Sequence, residues 1–153
     1  MQLQDVNSVI GRHTGYSRAV LDYSLIVKRV VDSAKQPGFS TASWAPLAEL
    51  IDTAAFQRVG NFKEVMNWQQ YIDFLNNWAP NADWECSFKR ITERENLVFL
   101  ELEERSETQG FSSVVNSLSV YEFNSAGKIV RVDVYLQMEP PPSEMLKSYE
   151  GVV

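Results

Sequence analysis

The residues best suited to chemistry in this sequence sit on stretches where apolar and polar positions alternate. Between Leu97 and Arg105, extended backbone would put Val98, Leu100, Leu102 and Glu104 on one face and Glu101 and Glu103 on the other. Glu104 is then the ionisable group on an apolar face. Apolar surroundings disfavour a carboxylate's charged form, which would suit Glu104 to giving or taking a proton near neutral pH; the plainer reading is a strand-end glutamate in water. The same alternation groups Val115, Ser117, Ser119 and Tyr121, and further on Val132, Val134 and Leu136. Tyr121 could hydrogen-bond a ligand carbonyl or be plain core. His13 is the one histidine and a natural general base, yet it stands in a polar stretch without an Asp or Ser partner. Cys86 is the single cysteine, with no partner for an intrachain disulfide and no neighbouring His or Cys for zinc, and reads as a small buried hydrophobe. Trp68, Tyr71 and Trp78 share one helical face, which could recognise a flat ligand or serve ordinary packing. Arg131 and Asp133 alternate with valines and read as a polar outer face.

Positioning these groups requires a definite series of elements. Apolar residues recur at Tyr16, Val20, Tyr23, Val27, Val30 and Ala34, the spacing of a helix with one buried stripe. Gln36-Pro37-Gly38 ends it, and Trp44, Leu47, Ala48 and Ile51, with Pro46 in the first turn, predict a second, shorter helix. A short strand covers about Ala55 to Val59. Asn67, a good N-cap with Gln70 three residues on, opens a third helix that stops at Pro80. After it the period changes, and four strands read as residues 84–92, 97–105, 111–123 and 128–137. The last two are joined by Asn124-Ser125-Ala126-Gly127, where glycine can supply the positive φ of a hairpin turn. Helices first and an antiparallel meander after them make an α+β plan, with the three helices covering one face of a mainly antiparallel sheet. Residues 1–15 read as an N-terminal arm, 16–138 as the domain, and 139–153 as a tail that begins with Pro140-Pro141-Pro142 and carries Met145, Leu146 and Tyr149.

At 153 residues, with 44% hydrophobic and 22% charged side chains, the chain fits one globular domain. The formal charge of −6 and the lack of a dense Lys/Arg stripe argue against nucleic acid as a partner. Neither a basic start followed by an apolar run nor a stretch of ~18 apolar residues is present, so no membrane association is expected and the expected location is the cytoplasm.

The order helix, helix, short strand, helix and four long strands resembles the nuclear-transport-factor-2-like, or SnoaL-like, family, which includes ketosteroid isomerase, polyketide cyclases and limonene-epoxide hydrolase. Supporting residues are Trp44 to Ile51 leading into Ala54-Ala55-Phe56, the hairpin from Tyr121 to Ile129 through Asn124 and Gly127-Lys128, and Tyr135 on the last strand. The likeness spans residues 16–138. It implies a cystatin-like cone, a curved sheet and helices enclosing a pocket whose polar groups decide function. Carried over by position, the isomerase's general base falls on Val59 and its oxyanion-stabilising acid on Ser119, neither of which can do that work. The hydrolase's Arg-x-Asp pair falls on Leu102 and Glu104, its second Asp on Val134, and the cyclase acid on Gln137. Each catalytic set lacks a member, so neither ketosteroid-isomerase nor epoxide-hydrolase activity is expected.

The resemblance implies a mostly apolar pocket walled by Val59, Trp68, Tyr71, Leu102, Val115, Ser117, Ser119, Val132, Val134, Leu136 and Gln137, with Glu104 and Tyr121 as the candidate catalytic pair. Two functions stay open. One is a lyase, isomerase or cyclase acting on a small apolar or aromatic molecule. The other is a non-catalytic ligand-binding or dimeric interaction domain. No metal or other cofactor is implied. Val114, Leu118, Val120, Ile129 and Tyr135 would face outward together, a patch large enough to predict a homodimer.

Overall fold

The computed structural model describes residues 2–108 and 110–140. Helices α1 (Val6–Val9), α2 (Gly15–Ser33), α3 (Ala45–Ala48) and α4 (Trp68–Trp78) accompany strands β1 (Gln57–Val59), β2 (Val65–Met66), β3 (Ala82–Arg94), β4 (Leu97–Thr108), β5 (Phe111–Phe123) and β6 (Ile129–Gln137). The strands form one mixed, curved sheet in the order β2-β1-β6-β5-β4-β3, antiparallel throughout except where β1 runs parallel to β6. This is the α+β plan that the change of period predicts.

The two principal helices arise as their sequences require. Along α2, Val20, Tyr23, Val27 and Val30 are buried on one stripe, and the helix lies against β3 and β4. Its N-cap, Thr14, makes no side-chain bond; instead the Glu93 carboxylate on β3 accepts from the Ser17 backbone N–H at 2.9 Å and from its hydroxyl at 2.7 Å. A distant acid thus satisfies a first-turn donor and complements the positive end of the helix dipole. In α4 the cap is local, as expected: Asn67 and Gln70 form a capping box with two bonds of 2.9 Å. Tyr71, Ile72 and Leu75 are its buried residues.

Several boundaries depart from the sequence reading for identifiable reasons. The second helix is only a 3-10 turn, Thr41–Trp44, running into α3, because Ile51 leaves the helical path to bridge Ile129 beside β6. Strand β2, unforeseen, pairs with β1 across a tight turn. The segment read as an arm is in part folded: Gln4 bridges Phe88, and Asp5 caps α1, which buries Val6 and Val9. Met145, Leu146 and Tyr149 lie outside the described residues.

At the β5–β6 hairpin Gly127 takes φ 78°, and Asn124 Oδ1 accepts from the Ala126 and Lys128 amides. A bulge between Glu122 and Phe123 shifts the pairing so that Phe123 opposes Ile129. Ile129 is therefore fully buried, not on the outer face where simple alternation puts it. Phe123 stacks on Tyr16 with centroids 4.2 Å apart, closing the core at this end. No helix among the described residues is long and apolar enough to cross a membrane.

Candidate functional site

Helices α2 and α4 and the inward face of the sheet enclose a cavity of about 250 Å³. That lies just under the ~300–1,000 Å³ usual for ligand sites, so it suits a compact molecule. Val27 and Leu75 line the helical side; Leu102, Val115, Val132, Val134 and Leu136 line the sheet side. Trp78 and the half-exposed Phe74 flank the opening.

Besides Ser24, Ser106 and Ser119, polar groups gather at two places on this wall. The Tyr23 and Tyr71 hydroxyls, brought together from α2 and α4, share a 2.6 Å hydrogen bond. Tyr121, on β5, meets Tyr23 edge-on at 5.3 Å, and its hydroxyl makes no hydrogen bond among the described residues. Burial, then the neighbouring Tyr71 and Tyr121, push the Tyr23 phenol well up; burial, then Tyr71 and Glu104, push up Tyr121, with Arg58 opposing in both. Both phenols therefore remain protonated hydrogen-bond donors at neutral pH. Arg58 reaches the same region from β1, its guanidinium 5.2 Å from the centre of the Tyr71 ring.

The second polar place is Glu104. Its Oε1 accepts from Trp84 Nε1 at 2.9 Å. The register explains the contact: Glu104 opposes Cys86, so Trp84, two residues along β3, is a diagonal neighbour on the same face. Cys86 stands directly opposite Glu104, its thiol pushed up to about 12 by burial and then by the Glu104 charge, which makes it poorly reactive.

Of the residues singled out from sequence, the cavity brings together Glu104, Tyr121, Tyr71, Leu102, Val115, Ser119, Val132, Val134 and Leu136. Four others do not reach it. Val59 opposes Asp133 on the outer face, and the inward position beside it belongs to Arg58, which opposes Val132. One residue of slip in a strand exchanges the two faces. Trp68 turns onto Phe56, 5.7 Å away, and lines a separate groove with Trp44, Ala45 and Ile72. Ser117 has the inward phase but is covered, its hydroxyl buried without a partner. Gln137 points outward and accepts from Asn116 Nδ2 at 3.3 Å. His13 stands beside Phe88, away from the cavity.

Residues that the sequence left unassigned to the site are Arg58, Tyr23, Trp84, Ser24, Val27, Phe74, Leu75 and Ser106; Trp78, named there only as part of an aromatic helix face, lines it as well. Tyr23 and Val27 were legible as parts of the α2 stripe, and Trp84 follows once the β3–β4 register is known. Nothing in Gln57-Arg58-Val59 marks the arginine as inward. Among the described residues, no group of three His, Cys, Asp or Glu side chains could hold a metal ion.

No family model and no curated protein matches the sequence. Solved structures do match the fold. A protein named as an isomerase from Rhodopseudomonas palustris superposes with a TM-score of 0.61 at 9% identity, covering 78% of this chain and 89% of that one. A SnoaL-like protein named as a polyketide cyclase from Jannaschia sp. CCS1 gives 0.56 at 12% identity, covering 82% and 90%. An NTF2-like protein of unknown function from Cytophaga hutchinsonii gives 0.53 at 12% identity, covering 88% and 97%. At such identities the likeness is one of fold, and the chain has the NTF2-like α+β fold.

Proposed function

We propose that the cavity binds a small apolar or aromatic molecule bearing an oxygen function and acts on it by proton transfer, as a lyase, isomerase or cyclase does. The observation that carries this reading is a pairing of chemistry: the Tyr121 hydroxyl, unpartnered among the described residues, and the Glu104 carboxylate line one mostly apolar cavity. Glu104 would take a proton from carbon adjacent to a carbonyl, and the electron pair would move onto the carbonyl oxygen. Tyr121 would donate to that oxygen as it gains charge, with the Tyr23–Tyr71 pair alongside; donors fixed before reaction cost no reorganisation. Some structural neighbours carry the names of isomerases and cyclases, which agrees with this class.

A second reading, binding without catalysis, is favoured by one contact. Glu104 Oε1 is already engaged by Trp84, leaving a single carboxylate oxygen for chemistry. A panel of small aromatic ketones, screened by thermal shift and then by mass spectrometry for conversion, separates the two. Turnover that falls about 100- to 10,000-fold in Glu104→Gln while binding persists supports the enzyme. Binding with no Glu104-dependent conversion supports the second reading, and no binding by any compound refutes both.

The proposal extends to assembly. On the outer sheet face Val114 and Tyr135 are more than half exposed, with Leu118 and Val120 partly so. Covering this face with a second copy would remove apolar area from water. Light scattering should then report about twice 17.5 kDa, and a monomer would refute the dimer.

A further inference from the structure

Among the described residues Arg58 is the one cation lining the cavity, and its surroundings engage it only weakly. Its side chain is 19% exposed, and its guanidinium nitrogens are not among the side-chain atoms closed off from water without a partner. Five N–H donors come with that group, and none makes a hydrogen bond among the described residues. A single carboxylate approaches it there: Glu64, at 4.0 Å, the outer limit of an ion pair. The other oxygen of that carboxylate, Oε2, is engaged within the turn. It accepts from the Phe62 backbone N–H at 3.0 Å, and the carboxylate folds over Gly60, where any Cβ would collide with it, so it serves as a brace for the β1–β2 turn. The cavity's own acid, Glu104, lies beyond ion-pair distance and is held by Trp84. The face of Tyr71 offers the cation attraction but no acceptor.

A guanidinium at the wall of a cavity, its donors left to water, is available to a ligand that accepts from it. Its planar fork matches a carboxylate through two parallel bonds. The polar end of the cavity is donor-rich as well, since Arg58 lies close enough to Tyr23 and Tyr121 to oppose the rise in both phenols. At that end the Arg58 guanidinium and the Tyr121 hydroxyl are the donors left for a ligand oxygen, since Tyr23 and Tyr71 bond each other. Beyond it the walls are Val132, Val134, Leu136 and the indole of Trp78, which ask for a flat apolar body.

We infer that the ligand of this cavity is a small aromatic or unsaturated carboxylic acid whose carboxylate is held by the Arg58 guanidinium. The inference rests on the reading of the cavity as a small-molecule site and adds the charge and class of the molecule. Arg58 acts here as a specificity-determining residue on β1, distinct in role from Glu104 and Tyr121.

Calorimetric titration with a matched pair, 2-naphthoate and 2-naphthamide, tests it. The amide keeps the shape and one acceptor oxygen but loses the charge. The wild-type protein should bind the acid about 10- to 100-fold more tightly than the amide, the range of a charge-assisted contact. Arg58→Met should abolish that preference, the acid losing about 10- to 100-fold more affinity than the amide. Arg58→Lys, which keeps the charge and loses the fork, should give an intermediate ratio. A purely structural arginine would weaken both probes together and leave their ratio unchanged. The wild-type ratio needs no variant, so misfolding of Arg58→Met leaves the test decisive. Equal affinity for the two probes, or an acid preference that survives in correctly folded Arg58→Met, overturns the role of Arg58 alone. Failure of both probes to bind overturns the small-molecule reading together with it.

Discussion

The contact between Trp84 and Glu104 determines whether the cavity's carboxylate arrives pre-aimed. The perturbation is a double-mutant cycle, Trp84→Phe and Glu104→Leu, singly and together. Trp84 is 7% exposed, and its Nε1 lies 2.9 Å from Oε1. Hydrogen bonds to charged acceptors contribute about 1.5–3 kcal/mol; because this one borders an open cavity where water can substitute, about 1–2 kcal/mol is the expected coupling. The single changes mix several terms. Glu104→Leu strands the indole N–H but also removes a partly buried charge, while Trp84→Phe loses packing volume as well as the donor. Only the coupling has a definite sign: the double variant should be more stable than the sum of the singles predicts. For a domain of this size the coupling corresponds to roughly 2–8 °C in Tm. Urea unfolding should be followed by far-UV circular dichroism, since tryptophan fluorescence changes with the substitution itself. Additivity within about 0.3–0.5 kcal/mol would show that the contact does not orient Glu104, and the catalytic reading would lose its aimed base. If the coupling is present, Trp84→Phe should lower turnover more than binding, as a positioning residue does.

Other expectations follow from the same geometry. Burial raises the Tyr23 and Tyr121 phenols and the Cys86 thiol, so the folded chain keeps protons that the unfolded chain releases. That stability is fully present below the unfolded pKa values, about 8.5–10, and each group removes up to about 1.4 kcal/mol per pH unit above them. A urea midpoint that stays flat from about pH 8 to pH 11 would contradict the burial of these groups. With its pKa pushed up to about 12, Cys86 should react with a disulfide reagent near pH 8 at a rate roughly 1,000-fold below that of a free thiol, and normal reactivity would mean an open site. Asn67→Ala removes the acceptor for the Gln70 amide and should cost about 1 kcal/mol, or 2–4 °C in Tm. An unchanged melting temperature would mean that the cap is made up by water.

Much of the fold was legible because its signals are local. The Asn67–Gln70 box, the α2 stripe and the Gly127 turn each sit within a few residues, where backbone geometry and side-chain chemistry act directly on one another. Strand β5 was readable end to end; alternation grouped Leu102 with Glu104 and Val115 with Ser119 and Tyr121, and the family resemblance supplied the expectation that both groups face inward. The composition of the cavity's sheet side was therefore largely written in the sequence.

The cavity's cation and the aim of its acid depended on tertiary structure. A three-residue strand such as Gln57-Arg58-Val59 is too short to show a period, and its facing is set by parallel pairing with β6, more than seventy positions away. That pairing turns Arg58 inward and Val59 outward. The Tyr23–Tyr71 bond joins two helices that packing brings together, and Trp84 meets Glu104 only through the β3–β4 register. Ile129 is internal because a bulge resets the phase of β6. In each case side-chain direction depends on which neighbour the backbone pairs with, a choice made by the whole folded chain. Period and capping determined which residues belong to helix, strand and apolar face. Long-range pairing decided which polar groups meet inside it.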